Sequence, residues 1–120
     1  MTIKITKLSP AKINLFLEVK NKRNDGYHDI QSLMTFCDFG DVLCVSKSND
    51  FRIKLDGPFS SSLVNKENLI HRTLKKLEDL FERNFNVEVV LKKNLPIASG
   101  MAGGSSNAAT FIASIKEIFK

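Results

Sequence analysis

The sequence predicts an α+β fold, an antiparallel or mixed sheet with helices on one face, and three observations carry that prediction. Apolar residues alternate with polar ones over much of Met1 to Leu55, the period of a half-buried strand. Apolar residues at helical spacing then run from Leu69 to Phe81, and a second such stretch begins at Ser105, each the mark of an amphipathic helix.

The elements follow in order. Ile3 to Leu8 opens the sheet, and Ile13, Leu15, Leu17 and Val19 continue it in alternation with more polar partners. Asn24-Asp25-Gly26 is a turn signal between that second strand and Ile30 to Cys37, since Asn and Asp bond their own backbone and Gly accepts positive φ. Ser48-Asn49-Asp50 punctuates the next pair, Val42 to Ser46 and Phe51 to Leu55. Counted by such turns, the opening holds about four or five antiparallel strands.

Gly57 to Ser62 breaks the pattern, and Leu69, Ile70, Thr73, Leu74, Leu77, Leu80 and Phe81 then share one helical face. Asn65 or Asn68 is placed to cap the start of this helix, because a short polar side chain accepts from an unpaired N–H of the first turn; Asn84 and Asn86 mark its end. Val87 to Leu91 alternates as a short strand. Small residues dominate from Pro96 to Ser106, and Ala108, Ile112, Ile115 and Phe119 mark one face of the last helix, so a glycine-rich segment runs directly into a helix N-terminus.

Composition narrows the class. A chain of 120 residues with 42% hydrophobic and 26% charged residues suits one folded domain and argues against wholesale disorder. The net charge of +5 is spread along the chain, which fits either a solvated surface or attraction to an anion. Cys37 and Cys44 have no His or acidic neighbours at metal spacing, so they read as reduced, half-buried strand residues and not as a zinc site. No apolar run has the length of a membrane span, and the N-terminus lacks the apolar core of a secretory signal; the expectation is a cytoplasmic protein without a membrane partner.

The segment between β-character and helix is where chemistry is expected. N–H groups at a helix start lack intrahelical partners and the dipole favours negative charge there, so phosphate is the natural guest. Gly100, Gly103 and Gly104 allow close backbone approach, and the hydroxyls of Ser105 and Ser106 could donate to phosphate oxygens or hold magnesium. The alternative is that these glycines only permit tight helix packing. The segment is neither a Walker A loop, having no Gly-Lys-Ser/Thr, nor a G-x-G-x-x-G fingerprint.

Pro96-Ile-Ala-Ser-Gly-Met-Ala-Gly-Gly-Ser-Ser-Asn-Ala-Ala-Thr110 resembles the phosphate-binding motif of the GHMP kinases. Ser9-Pro-Ala-Lys-Ile-Asn-Leu-Phe-Leu17, Asp25-Gly-Tyr-His-Asp-Ile-Gln-Ser-Leu33 and Glu67-Asn-Leu-Ile70 resemble, in the expected order, segments of the members that act on a cytidine diphosphate-linked methylerythritol. Ala98, Ser99, Met101 and Ala102 depart mildly from the family's glycines and leucine. The resemblance implies a domain like ribosomal protein S5 domain 2, with ATP and Mg2+ as cofactors. It implies transfer of the γ-phosphoryl group to the 2-hydroxyl of that small-molecule substrate, a step of non-mevalonate isoprenoid synthesis.

By the same resemblance Lys12 is the catalytic candidate, and Asn14, Tyr27 and His28 are the substrate-binding ones, the last two for stacking on and bonding to cytosine. Cofactor binding falls to Asn68, Lys93, Pro96, Gly100, Met101, Ala102, Gly103, Gly104, Ser105 and Ser106, with Ser105 and Ser106 also the metal candidates. Without the resemblance Lys12 and Lys93 read as solvated charges, Asn14 as an edge position, Asn68 as a helix cap and Tyr27-His28 as an exposed pair.

In the family the catalytic aspartate lies beyond the helix that the glycine-rich segment feeds. Asp25, Asp29, Asp38 and Asp41 fall in the wrong motifs to replace it. The expectation is therefore that residues 1–120 form an incomplete N-terminal domain with the C-terminal domain absent, inactive alone unless a complementing C-terminal kinase fragment supplies the rest. Two other readings remain open: a non-catalytic nucleotide-binding relic, and a basic RNA-binding module. One Tyr, no Trp and Phe residues in apolar patterns argue against a nucleic-acid partner, because an RNA reader interleaves aromatic and basic residues on a sheet face.

Overall fold

The four short strands expected before residue 48 are two long ones. In the computed structural model, which describes residues 3–58, 69–95 and 103–119 and only the backbone at 14, 16, 17 and 103–105, β1 spans Lys4–Lys22 and β2 spans His28–Lys47. They pair antiparallel, with register shifts between Pro10 and Lys12, Asn14 and Phe16, and Val19 and Lys22. A bulge absorbs an unpaired residue without ending the strand, which is how β1 passes through Pro10. That proline is tolerated because β1 is an edge of the sheet, where a missing N–H need not break a ladder.

β3 (Arg52–Asp56) and β4 (Val87–Lys92) complete a four-stranded sheet of order β1-β2-β4-β3. β4 is antiparallel to β2 and parallel to β3, so the sheet is mixed. Ser48-Asn49-Asp50 consequently does not close a hairpin: β4 lies between the two strands it separates. Parallel neighbours need a long crossover, and here the crossover contains α1 (Leu69–Phe81).

Helix α1 turns Ile70 and Leu74 into the core. It ends at Phe81, before either asparagine expected to mark its end, with Glu82 at φ 51°. Glu78 caps it: its carboxylate accepts from the Phe85 N–H at 2.9 Å, and its carbonyl accepts from the Arg83 N–H at 3.2 Å. The expected N-caps, Asn65 and Asn68, lie outside the described residues.

Helix α2 (Gly103–Ile118) begins two residues before the expected Ser105, and its buried face is rotated from the expected one. Asn107, Phe111, Ser114, Ile115 and Ile118 are buried, whereas Ile112 is 44% exposed. Hydropathy misled here because Asn107 and Ser114 are polar yet inside, each with a hydrogen-bond partner, as buried polar groups require.

Both helices cover one face of the sheet. Leu43 and Val45 of β2 and Val87, Val89 and Leu91 of β4 meet Ile70, Leu74, Phe111, Ile115 and Ile118 in a single cluster. Removing the Phe111 ring would cost about 3–5 kcal/mol. Within β2, only Val42–Lys47 pair with β4, so the outer part of β2 has β1 as its sole sheet neighbour among the described residues. This two-stranded arm exposes Leu15 (62%) and Ile30 (63%) and stretches the molecule to 53 Å in its longest dimension. The half-buried alternation expected for the whole opening therefore holds only from Gly40 inward. Cys37 and Cys44 are free and half-buried on β2, as expected. Among the described residues no helix is long and apolar enough to cross a membrane.

Candidate functional site

A groove of about 470 Å³ opens where β1 leaves the sheet core and passes the first turns of α2; Lys7, Leu8, Pro10 and Lys12 line it from β1, Phe36 from β2, and Ser106, Ala109, Thr110 and Ala113 from α2. Strand register brings Lys12 opposite Phe36. The alanines keep the wall of α2 low. Thus Lys12 and Ser106, chosen from opposite ends of the sequence, share one cavity.

Buried and part-buried polar contacts fasten the two walls. Ser106 Oγ donates to the Pro10 carbonyl at 2.9 Å. Ser9 Oγ lies 2.6 Å from Asn107 Oδ1 and 3.1 Å from Ser106 Oγ; a hydroxyl has one proton, and the shorter contact takes it. Close approach of β1 and β2 at this level requires Gly40, whose Cβ would fall on the Ser9 carbonyl oxygen and 2.9 Å from the Ala11 nitrogen.

The electrostatics favour an anion. Lys7 is paired with Glu117 at 2.6 Å, while Lys12 has no ion-pair partner among the described residues. No acidic residue stands in the first turn of α2, and the groove lining contains no carboxylate. The N–H groups of Gly103, Gly104 and Ser105 belong to that first turn and lack intrahelical acceptors. Because Ser106 gives its proton to Pro10, its oxygen can offer a lone pair to a cation but not a proton to a phosphate. No group of three or more His, Cys, Asp or Glu with metal-binding geometry occurs among the described residues.

Lys93 is not a solvated charge. It is 3% exposed, and its Nζ pairs with Asp41 Oδ2 at 2.5 Å. The remaining Asp41 oxygen accepts from the N–H groups of Asn94 (2.7 Å) and Leu95 (2.9 Å). With its ammonium held there, Lys93 has only its stem and backbone to offer a ligand.

Tyr27 and His28 are elsewhere, at the tip of the arm. Gly26 has φ 89° and the Tyr27 N–H donates to Asp25 Oδ1 at 3.0 Å, the turn chemistry the sequence signalled. Tyr27 is 74% exposed. His28 pairs in register with Lys22, ten positions along β1 from Lys12, roughly 30 Å at strand rise. The open hollow at the tip is lined by Lys22, Arg23, Asn24, Asp25 and Asp29, with neither Tyr27 nor His28 in its wall. Asn14 pairs with Met34 on the arm, and its side chain is not described. Asn68, Pro96, Gly100, Met101 and Ala102 lie outside the described residues.

Ser9, Gly40, Asp41 and Asn107 were not anticipated. One signal existed for them: a glycine inside a strand pattern, Phe39-Gly40-Asp41, marks a close approach of backbones. Nothing comparable marks Asp41, whose partners lie far along the chain.

Residues 68–120 match the GHMP kinases N terminal domain. The chain is 44% identical over 117 residues to 4-diphosphocytidyl-2-C-methyl-D-erythritol kinase of Wigglesworthia glossinidia brevipalpis, covering 93% of the chain and 38% of that protein. It is 38% identical over 112 residues to the same-named kinase of Francisella tularensis subsp. novicida, covering 92% of the chain and 40% of that protein. A solved 4-(cytidine 5'-diphospho)-2C-methyl-D-erythritol kinase superposes with a TM-score of 0.78 at 30% identity, over 96% of this chain and 41% of that one. The chain thus spans about two fifths of the length of the relatives it matches. Over residues 68–120 the chain is similar to the GHMP kinases N terminal domain, and over most of its own length it is similar to proteins named 4-diphosphocytidyl-2-C-methyl-D-erythritol kinase.

Proposed function

We propose that this chain is the nucleotide-binding part of an ATP-dependent kinase whose acceptor is 4-diphosphocytidyl-2-C-methyl-D-erythritol. The observation that carries the reading is the convergence of Lys12 with the start of α2 in one groove that is without carboxylates. The acceptor is taken from the names of the relatives.

In this reading the N–H groups at the start of α2 bind the phosphates, and Lys12 offsets the charge that develops on the transferred phosphoryl group, work that is mainly positioning and electrostatic stabilisation. Ser105 and Ser106 would hold a magnesium ion through their hydroxyl oxygens, and the ion would supply positive charge beside the phosphates. Tyr27 and His28 would meet the cytosine end of the acceptor at the arm tip. Among the described residues that line the groove there is no carboxylate to accept the proton of the attacking 2-hydroxyl; in this reading a complementing C-terminal kinase fragment supplies it.

Calorimetry with Mg-ATP, followed by a phosphate-transfer assay on the same preparation, tests this. The expected result is binding without turnover by this chain alone, and turnover once the remaining part of a full-length relative is added. Turnover by the chain alone would refute the missing-carboxylate account. Absence of nucleotide binding by the folded chain would refute the whole reading.

A further inference from the structure

The turn at the arm tip bonds the main chain of Tyr27 on both sides through the same two residues. Its N–H donates to Asp25 Oδ1 at 3.0 Å, and its carbonyl accepts from the Arg23 N–H. Those two residues are also joined through their side chains, with Arg23 Nη2 3.3 Å from Asp25 Oδ2. Arg23 Nε lies 3.8 Å from Asp29 Oδ1, so the guanidinium sits between two carboxylates. The Gly26 N–H closes the turn by donating to the Arg23 carbonyl at 3.1 Å.

Packing does not orient the Tyr27 ring, which is largely exposed and lies outside the buried cluster. The backbone sets the direction of its Cα–Cβ bond, and the bonds above set the backbone. Asp25 does this with one oxygen for the Tyr27 N–H and the other for the guanidinium. An exposed ion pair adds little to folding stability. A carboxylate that accepts from two donors, one of them charged, nevertheless has less freedom to rotate away from either. A ring whose backbone is fixed in advance has less freedom left to lose when a flat ligand stacks on it.

We propose that Asp25 is a positioning residue, braced by Arg23, that presents the Tyr27 ring to the pyrimidine of a cytidine diphosphate ligand. This rests on the acceptor reading above, and the test separates the two. Tyr27 is the one tyrosine of a chain without tryptophan, so tyrosine fluorescence reports this ring alone: anisotropy reads its freedom, and quenching by cytidine 5'-diphosphate reads stacking. Asp25→Ala removes the acceptor of the Tyr27 N–H. Asp29→Ala removes the same charge from the tip but no bond to Tyr27, so the general attraction for a diphosphate changes alike in both. Asp25→Asn keeps an acceptor oxygen and serves as the rescue.

Asp25→Ala is expected to bind cytidine 5'-diphosphate roughly three-fold more weakly than Asp29→Ala. Its anisotropy without ligand should be the lower of the two, and the melting midpoints should agree. Asp25→Asn should recover most of the affinity and the anisotropy. Equal affinity in Asp25→Ala and Asp29→Ala overturns the proposal, as does a lowered midpoint in Asp25→Ala with no change in anisotropy, the mark of a turn that is structural only. If cytidine 5'-diphosphate does not quench even the unmodified chain, the acceptor reading at the tip falls, and anisotropy alone decides: lower in Asp25→Ala sustains the positioning role, equal in both overturns it. Should Asp25→Ala not fold, Arg23→Met releases the Asp25 carboxylate and leaves the Tyr27 N–H its acceptor. Anisotropy below that of the unmodified chain then sustains the brace, and unchanged anisotropy overturns it.

Discussion

Ser106 donates its hydroxyl proton to the carbonyl of Pro10 at 2.9 Å, fastening the start of α2 to the strand that carries Lys12. The bond is part-buried, so deleting the hydroxyl leaves the carbonyl without this donor. Ser106→Ala is expected to lower unfolding stability by about 1 kcal/mol, read as a shift of the urea midpoint without a change in slope. An unshifted midpoint would mean that the two walls of the groove are held by other contacts.

Lys12 is half-buried in the groove wall, and no carboxylate offsets its charge among the described residues. Its attraction for a phosphate in partly solvated surroundings is about 1 kcal/mol, so Lys12→Met is expected to weaken Mg-ATP binding roughly five-fold at low salt. The difference should shrink as salt screens the charge. Calorimetry at two ionic strengths reads both effects; a loss independent of salt would point to altered packing instead.

The order of helices and strands along the chain was legible because it rests on local periodicity, and α1 (Leu69–Phe81) and β4 (Val87–Lys92) emerged close to their expected limits. Strand continuity was not, because Pro10 and the flanking polar residues look like a break and act as a bulge. Nor was the parallel pairing of β3 with β4, which depends on where a crossover lands. In the site, Lys12 and Ser106 could be picked out by resemblance, and the structure brings them together. The supports beneath them could not: Asp41 was set aside as an acid in the wrong motif, and its partners Lys93, Asn94 and Leu95 are more than 50 residues away in sequence. Long-range polar pairs leave no periodic trace.

Gly57 and Gly26 share φ 89° but differ in surroundings. A Cβ at Gly57 would lie 2.6 Å from the carbonyl oxygen of Lys93, whereas one at Gly26 would meet nothing within 4 Å. Gly26→Ala should therefore cost only the backbone term, about 1 kcal/mol. Gly57→Ala adds a collision with the backbone next to the Asp41 anchor and should cost about 2–4 kcal/mol in all. Paired thermal melts check the ranking; equal losses would count against the close approach at Gly57.

Glu88 on β4 is held below the ordinary glutamate range, first by its hydrogen bond to Lys54 and then by the charge of the same residue, 3.0 Å away on β3. A carboxyl whose folded pKa lies below its unfolded one contributes stability above the unfolded value and loses that contribution as pH falls through the folded value. The pair is solvent-exposed, so the contribution to folding is small, but the titration itself is measurable. In Lys54→Met the Glu88 midpoint, followed by carboxyl NMR, should rise toward the ordinary value. An unmoved midpoint would show that the pair does not persist in solution.

Tyr27 separates the two halves of the functional reading. It is exposed at the arm tip, remote from the Lys12 groove, and it belongs to no buried cluster, so Tyr27→Ala should leave the melting midpoint nearly unchanged. If the arm tip meets a cytosine ring, loss of one aromatic face should weaken binding of a cytidine diphosphate ligand by roughly 1 kcal/mol, about five-fold, with Mg-ATP affinity preserved. Calorimetric titration of the variant with each ligand separates the cases. An equal loss for both nucleotides would place them in one pocket and contradict the distance between the arm tip and α2. No loss for either would remove Tyr27 from the acceptor site.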